Sequence, residues 1–161
     1  MNTVEVENPN FYTTIIESAH QVEREKWNDC ANFKNDNTNI VNPFLSHEFF
    51  CCLEDSGSVS KETGWIAHHI LLSCNNSIVG ILPNFIKNHS WGEYIFDQVF
   101  AQALENAGGK YYPKLLSAVP FSPVPGERFL IKTGYDKKKI IMVSCIDNLI
   151  KGAAGQALQN M

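Results

Sequence analysis

An α/β (α+β) fold is predicted for this 161-residue chain by three observations. Apolar, β-branched runs of strand length alternate with stretches of helical periodicity. An Asn-Asn pair joins two of the apolar runs, as a tight hairpin would require. Beyond the last well-marked helix, a proline-spaced VPFSPVPG forces an extended connection between strand candidates. The length suits one domain with a real core and is short for two ordinary ones.

Taken in order, residues 13–18 (TTIIES) read as a short β-branched strand. Residues 21–32 read as a helix with Val22 and Trp27 as its apolar contacts. An Asn-rich polar loop over 34–42 is closed by Pro43. Ser46 is placed to cap a helix carrying Phe49, Phe50 and Leu53 on one side, and Gly57 ends it. Residues 56–63 form a polar, exposed loop. The runs 65–74 and 77–86 are two strands turned by Asn75-Asn76, because asparagine tolerates positive φ. His68 and His69 sit in the first of them, where neighbours face opposite sides. They cannot chelate one ion together, and a packed and an exposed histidine are expected. Residues 96–107 carry helical spacing at Phe96, Val99, Phe100, Ala103, Leu104 and Ala107, and Gly108-Gly109 stop the helix. Residues 114–119 return as a strand, Pro120, Pro123 and Pro125 hold a loop, and 128–132 resume a strand. In the tail, residues 139–144 read as a strand before a small-residue amphipathic helix.

Composition excludes several classes of function. A formal net charge of -4 gives no electrostatic grip on DNA or anionic lipid. No apolar run approaches the ~20 residues of a membrane span. The N-terminus lacks a basic start and an apolar core, so no signal peptide is read and a cytoplasmic location is expected. The five cysteines are odd in number and match neither metal knuckles nor a disulfide framework. Cys51 and Cys52 point roughly 100° apart on a helix. Reduced cysteines are expected, with no metal site.

Information is densest over residues 89–130. This block holds His89, Trp91, Glu93, Tyr94 and Asp97, then Tyr111, Tyr112 and Lys114, then the prolines and Arg128. NPFLSHEFFCCLEDSG (42–57), the pair Gly64-Trp65, HSWGEYIFD (89–97) and YYPKLLSAVPFSPVPGER (111–128) resemble the predicted N-acyltransferases related to FemAB proteins. That family carries the label peptidoglycan biosynthesis or recognition and belongs to the GNAT-like superfamily. The resemblance is colinear over about residues 4–132.

It implies a partial GNAT-like mixed sheet with flanking helices, and transfer of an acyl or aminoacyl group to a small-molecule or peptide amine. Acyl-CoA or aminoacyl-tRNA would be the donor substrate, with no cofactor bound tightly and no cofactor-binding residues assigned. An ammonium must lose a proton before it attacks, and the tetrahedral oxyanion needs donors aimed at it. His89, Glu93 or Asp97 could take that proton. Tyr112, or Tyr111, could protonate the leaving group or hold the acceptor. Lys114 and Arg128 could pair with an acidic substrate group or a donor phosphate. Glu93 and Asp97, four apart, also fit a solvated face near a helix start. Tyr111 and Tyr112 alternate in direction, so one of them is expected to pack.

Members of that family are longer, and no glycine-rich pyrophosphate turn is found here. The chain is therefore expected to be incomplete and inactive alone, with unpaired edges open to self-association. Residues 136–161, ending in IDNLIKGAAGQALQNM, are similar to the C-terminal end of N-acetyl-gamma-glutamyl-phosphate reductases. In that family the segment packs near an NADP-dependent site, and here Asn148 could cap its helix. The dinucleotide fingerprint is missing, and Cys145 does not match the surroundings of the reductase nucleophile. Residues 1–132 are thus expected as the acyltransferase-like portion and 133–161 as a foreign-looking tail, a chimera joined near Thr133-Gly134. A non-catalytic ligand-binding module and a reductase fragment are the alternative functions.

Overall fold

The computed structural model describes residues 9–31, 42–94 and 96–135. Among these residues seven strands form two sheets and three α-helices accompany them: β1 Phe11–Ile16, α1 Arg24–Cys30, α2 His47–Asp55, β2 Trp65–Ala67, β3 His69–Cys74, β4 Ser77–Leu82, β5 Phe85–Lys87, α3 Gln98–Asn106, β6 Lys114–Leu116 and β7 Leu130–Ile131. One sheet has the order β1-β3-β4-β7 and the other β2-β5-β6. The α+β class is what the structure shows, and every strand pair described is antiparallel. Most of the 34–42 loop, Cys145, Asn148 and the tail over 136–161 lie outside the described residues.

The chain enters through β1, two residues earlier than TTIIES suggests. Residues 21–32 do not start as a helix at Gln21. A one-turn 3-10 segment, Ala19–Gln21, comes first. Gln21 Oε1 accepts from the Ser18 N–H at 3.2 Å and Ser18 Oγ accepts from the His20 N–H at 3.1 Å. Gln21 is thus spent on a cap, and Val22 turns extended before α1 begins. Glu54, in the last turn of α2, ties this segment down by accepting from the Ser18 hydroxyl and the Ala19 N–H. Trp27 is fully buried, and its indole N–H donates to Leu45 O at 3.1 Å.

Ser46 caps α2 as expected, its Oγ accepting from the Phe49 N–H at 3.2 Å. The 56–63 loop that follows is mostly exposed, but Val59 is buried in the core. The hairpin of β3 and β4 turns at Asn75 and Asn76, with φ of 47° and 64°. Two consecutive left-handed residues are what a type I′ turn needs.

The two apolar runs are each longer than one strand. They bend at His68 and at Pro83-Asn84, and the far halves, β2 and β5, belong to the second sheet. Pro83 has no N–H for a ladder. Across the bend the His68 N–H donates to Asn84 O at 2.8 Å and the Asn84 N–H to His69 Nδ1 at 3.1 Å. His69 is buried and His68 half-buried, on opposite sides as predicted. The register slips between Leu72 and Ser73: Ser73 faces Ile78, whereas Leu72 faces Gly80. Val79 is the extra residue. From Leu72 onward the pairing keeps step through the bend, with Ala67 facing Phe85 and Trp65 facing Lys87.

The main core joins both sheets to α1 and α2 through Trp27, Phe50, Trp65, Ile81, Phe85 and Leu130. A smaller cluster of Leu72, Cys74, Val79 and Ile131 occupies the other face of the four-stranded sheet. Helix α3 is shorter than the 96–107 predicted, and its apolar side does not enter the core. Val99 is 76% exposed and Phe96, just before the helix, 86%, while Ala101 is buried. β6 ends at Leu116 because Ser117 turns its hydroxyl to Pro83 O at 2.8 Å.

Candidate functional site

The three-stranded sheet sets one row of residues side by side: Trp65 on β2 faces Lys87 on β5, which faces Lys114 on β6. Residues two apart share a face, so Ala67, Phe85 and Leu116 continue that side into the core. Two lysines therefore stand in an otherwise apolar row. Lys87 Nζ lies 3.7 Å from the centre of the Trp65 ring and donates to Trp91 O at 3.0 Å.

The connection before α3 brings acids onto this row. Gly92 and Tyr94 both take positive φ, 77° and 57°, and the backbone between them turns Glu93 inward. A Cβ at Gly92 would stand 2.7 Å from the Phe121 ring, so this close approach requires glycine. Glu93 Oε2 accepts from Lys114 Nζ at 2.6 Å, and Asp97 Oδ2 accepts from the same ammonium. Ser90 Oγ takes the third Lys114 proton at 2.7 Å and also bonds the Tyr112 hydroxyl at 2.8 Å. Tyr111 donates to Asp97 Oδ2 at 2.7 Å. The two tyrosine rings meet edge to face, both within cation–π range of Lys114.

Burial and charge act on these groups in opposite directions. Desolvation pushes the Lys87 ammonium down to about 8; Glu93 opposes this and Lys114 adds to it. For Lys114 desolvation also favours the neutral form, but hydrogen bonds and charge from Asp97 and Glu93 outweigh it, and its pKa rises. Asp97 is held below the usual carboxylate range, because bonds from Lys114, Ser90 and Tyr111 overcome its burial. Burial, then the bond to Asp97, raises the Tyr111 phenol. At neutral pH the cluster holds an ionised Asp97, a charged Lys114 and a Lys87 that is still mostly protonated but loses its proton far more easily than a free lysine.

Three buried polar atoms here have no hydrogen-bond partner: Glu93 Oε1, Asp97 Oδ1 and Trp65 Nε1. Glu93 Oε1 lies 3.9 Å from Lys87 Nζ, beyond hydrogen-bond reach. Lys114 satisfies one oxygen of each acid and leaves the other buried without a partner.

Of the residues singled out in the sequence, Glu93, Asp97, Tyr111 and Lys114 share this cluster directly, and Tyr112 joins through Ser90. Glu93 and Asp97 are buried, so they are not a solvated helix face. His89 sits beside the cluster. Its Nδ1 accepts from the Trp91 N–H at 3.2 Å, and its Nε2 would lie 2.2 Å from a Cβ at Gly64. Arg128 is engaged elsewhere, donating to Val124 O and Gly126 O in the proline loop. It lines a crevice there with Leu45, Phe50 and Pro83. Trp65 and Ser90 lie within the quoted motifs, but neither they nor Lys87 stand among the candidate site residues of the sequence. Lys87 is one charge inside the FIK strand, and a buried lysine opposite a tryptophan emerges only once the register is known.

The described cysteines, Cys30, Cys51, Cys52 and Cys74, are free. Desolvation raises Cys30 and Cys51 to about 11, so neither thiol is poised to attack. Among the described residues no group of three or more His, Cys, Asp or Glu could hold a metal ion, and no helix is long and apolar enough to cross a membrane.

Fold and site define an α+β domain with lysines and carboxylates buried behind an aromatic rim. The chain belongs to the FemAB-like family described as peptidoglycan biosynthesis/recognition, whose profile matches residues 18–160. Curated relatives that match over shorter stretches include N-acetyl-gamma-glutamyl-phosphate reductases. The enzyme of Methanobrevibacter smithii is 45% identical over 60 residues, 34% of this chain and 18% of the relative. That of Caldicellulosiruptor bescii is 75% identical over 28 residues, 16% of this chain and 8% of the relative. That of Archaeoglobus fulgidus is 34% identical over 88 residues, 51% of this chain and 25% of the relative. The chain thus spans a quarter or less of these relatives. No solved structure matches it significantly.

Proposed function

We propose that this chain carries the acceptor side of an N-acyltransferase site, at which an acyl or aminoacyl group passes to an amine. The observation that supports it most is the Lys114 clamp, which fixes Glu93 and Asp97 while leaving Glu93 Oε1 and Asp97 Oδ1 unpaired and buried. Two preorganised carboxylate oxygens suit an incoming ammonium, and Glu93 is placed to take its proton. Asp97, held ionised, serves better to orient the ammonium than to deprotonate it. Tyr112, linked to Ser90, is the hydroxyl that could protonate a leaving group, and His89, next to Ser90 in the chain, is the second proton carrier. Tyr111 and Lys114 hold the acids in place. Arg128, in the proline loop, is reserved for a donor phosphate or an acidic group. Acyl-CoA or aminoacyl-tRNA is the proposed donor, in a cytoplasmic setting.

The test is transfer of a labelled acyl or aminoacyl group from either donor to a panel of amines, by the full chain and by Glu93→Gln. Transfer that falls at least ~100-fold in the variant, with its fold unchanged, is expected. Equal transfer by both would overturn the role of Glu93.

A ligand-binding module without turnover is the second reading, since the same clamped acids would hold an amine without any donor site. It requires saturable amine binding, lost in Glu93→Ala and Tyr112→Ala, with no product formed. The division at residue 132 into an acyltransferase-like portion and a reductase-like tail is kept as a proposal from the sequence, although the family profile runs on to residue 160. The short reductase matches support a reductase fragment as a third reading. NADP binding by the full chain would support that third reading; an absence of binding would remove it.

A further inference from the structure

Among the described residues, strand β1 lies at one edge of the four-stranded sheet, and only its β3 side is paired. The direction of its free groups follows from one bond: Asn10 O accepts from the Asn75 N–H at 3.1 Å. In an antiparallel ladder alternate residues bond to the same neighbour, so Tyr12, Thr14 and Ile16 turn their N–H and C=O toward β3. Phe11, Thr13 and Ile15 turn theirs outward. The other described edges are β7 of two residues and β2 and β6 of three. β1 has six, with no charge, proline or bulge among them. Those are the devices that usually protect an edge.

The outward residues are also self-complementary. Turned about Thr13, an identical strand sets Thr13 against Thr13 and Phe11 against Ile15 on both sides. Phe11 and Ile15 are 39% and 55% exposed. Their β3 partners put them on the sheet face of Leu72 and Cys74, so the paired side chains would extend that apolar cluster. One step further, Glu17 meets Pro9 rather than another acid, and Pro9, without an N–H, ends the ladder. No like charges oppose each other.

We propose that two copies of this chain associate through β1, antiparallel about Thr13, so that their four-stranded sheets join into one. The contact is two-fold symmetric and closes on itself. It is independent of the acyl-transfer reading.

Sedimentation of the full chain at rising concentration should show passage from one copy to two. Thr13→Pro removes only an outward N–H, leaves the β1–β3 ladder intact and should stay a single copy with an unchanged circular dichroism spectrum. Should that variant not fold, Thr13→Lys, which opposes two ammonium groups at the centre, takes its place. In a Cys52→Ser, Cys145→Ser background, Thr13→Cys should cross-link under mild oxidation. Residues at such a pair stand ~5.5 Å apart between Cα atoms, inside the disulfide range. Tyr12→Cys, with no symmetric partner, should not. A single copy at every concentration, a dimer that survives Thr13→Pro or Thr13→Lys, or a Thr13→Cys protein that does not cross-link would each overturn the proposal.

Discussion

Lys114 is the residue on which the candidate site balances. Its ammonium touches Glu93 Oε2, Asp97 Oδ2 and Ser90 Oγ, and its side chain is only 10% exposed. Replacing it with methionine keeps the apolar stem but strands two buried carboxylates. Lys114→Met should lose about 3–5 kcal/mol in urea unfolding, the usual cost of removing one partner from a buried ion pair. A loss under about 1 kcal/mol would show that water reaches the acids freely.

Lys87 behaves in the opposite sense. Its folded pKa of about 8 lies below the 10.5 of the free side chain. Between those values the unfolded chain binds the extra proton, so this residue makes stability rise with pH across that window. Below about 8 both states are protonated and the penalty is constant. The thiols of Cys30 and Cys51, raised from 9.0 to about 11, act the other way over part of the same range. The difference between wild type and Lys87→Met isolates the lysine. That difference, followed by urea midpoints, should shift in favour of wild type from about pH 8 to 10.5; a flat difference would mean Lys87 is solvated.

At the scale of elements, α3 departs most from an ordinary amphipathic helix. Its spacing was legible in the sequence, and so was its end at Gly108. Periodicity reports which residues share a side, however, and not whether anything covers that side. Val99, Phe100 and Leu104 remain exposed while Ala101 faces inward. Val99→Glu should therefore change stability by no more than about 0.5 kcal/mol, as surface substitutions do, and should reduce binding of an apolar dye. A loss above ~2 kcal/mol would place this face under cover.

For the molecule as a whole, the local signals were the readable ones. Ser46, the Asn75-Asn76 turn and the stop glycines act through their own backbone, and the sequence exposes them directly. The split of each long run between two sheets was not readable, because it depends on Pro83-Asn84 meeting His68 across the ladder. The candidate site was half legible. Its acids and tyrosines lie close together in the chain, while Lys87 and Trp65 reach them only through pairing across strands. Arg128 was grouped with them by its place in the motif, and the fold directs it into the proline loop.

Val79 gives this dependence a single local origin. Were Val79 paired opposite Leu72 instead of bulged, the step between Ser73 and Ile78 would carry on unchanged, and Ile86 rather than Lys87 would come opposite Trp65. Side chains alternate, so the lysine would also change sides. Whether one plain aliphatic residue in the arm of a hairpin is bulged or paired therefore decides whether the ammonium is buried in the site. An alignment that scored only the charged and aromatic positions would overlook it.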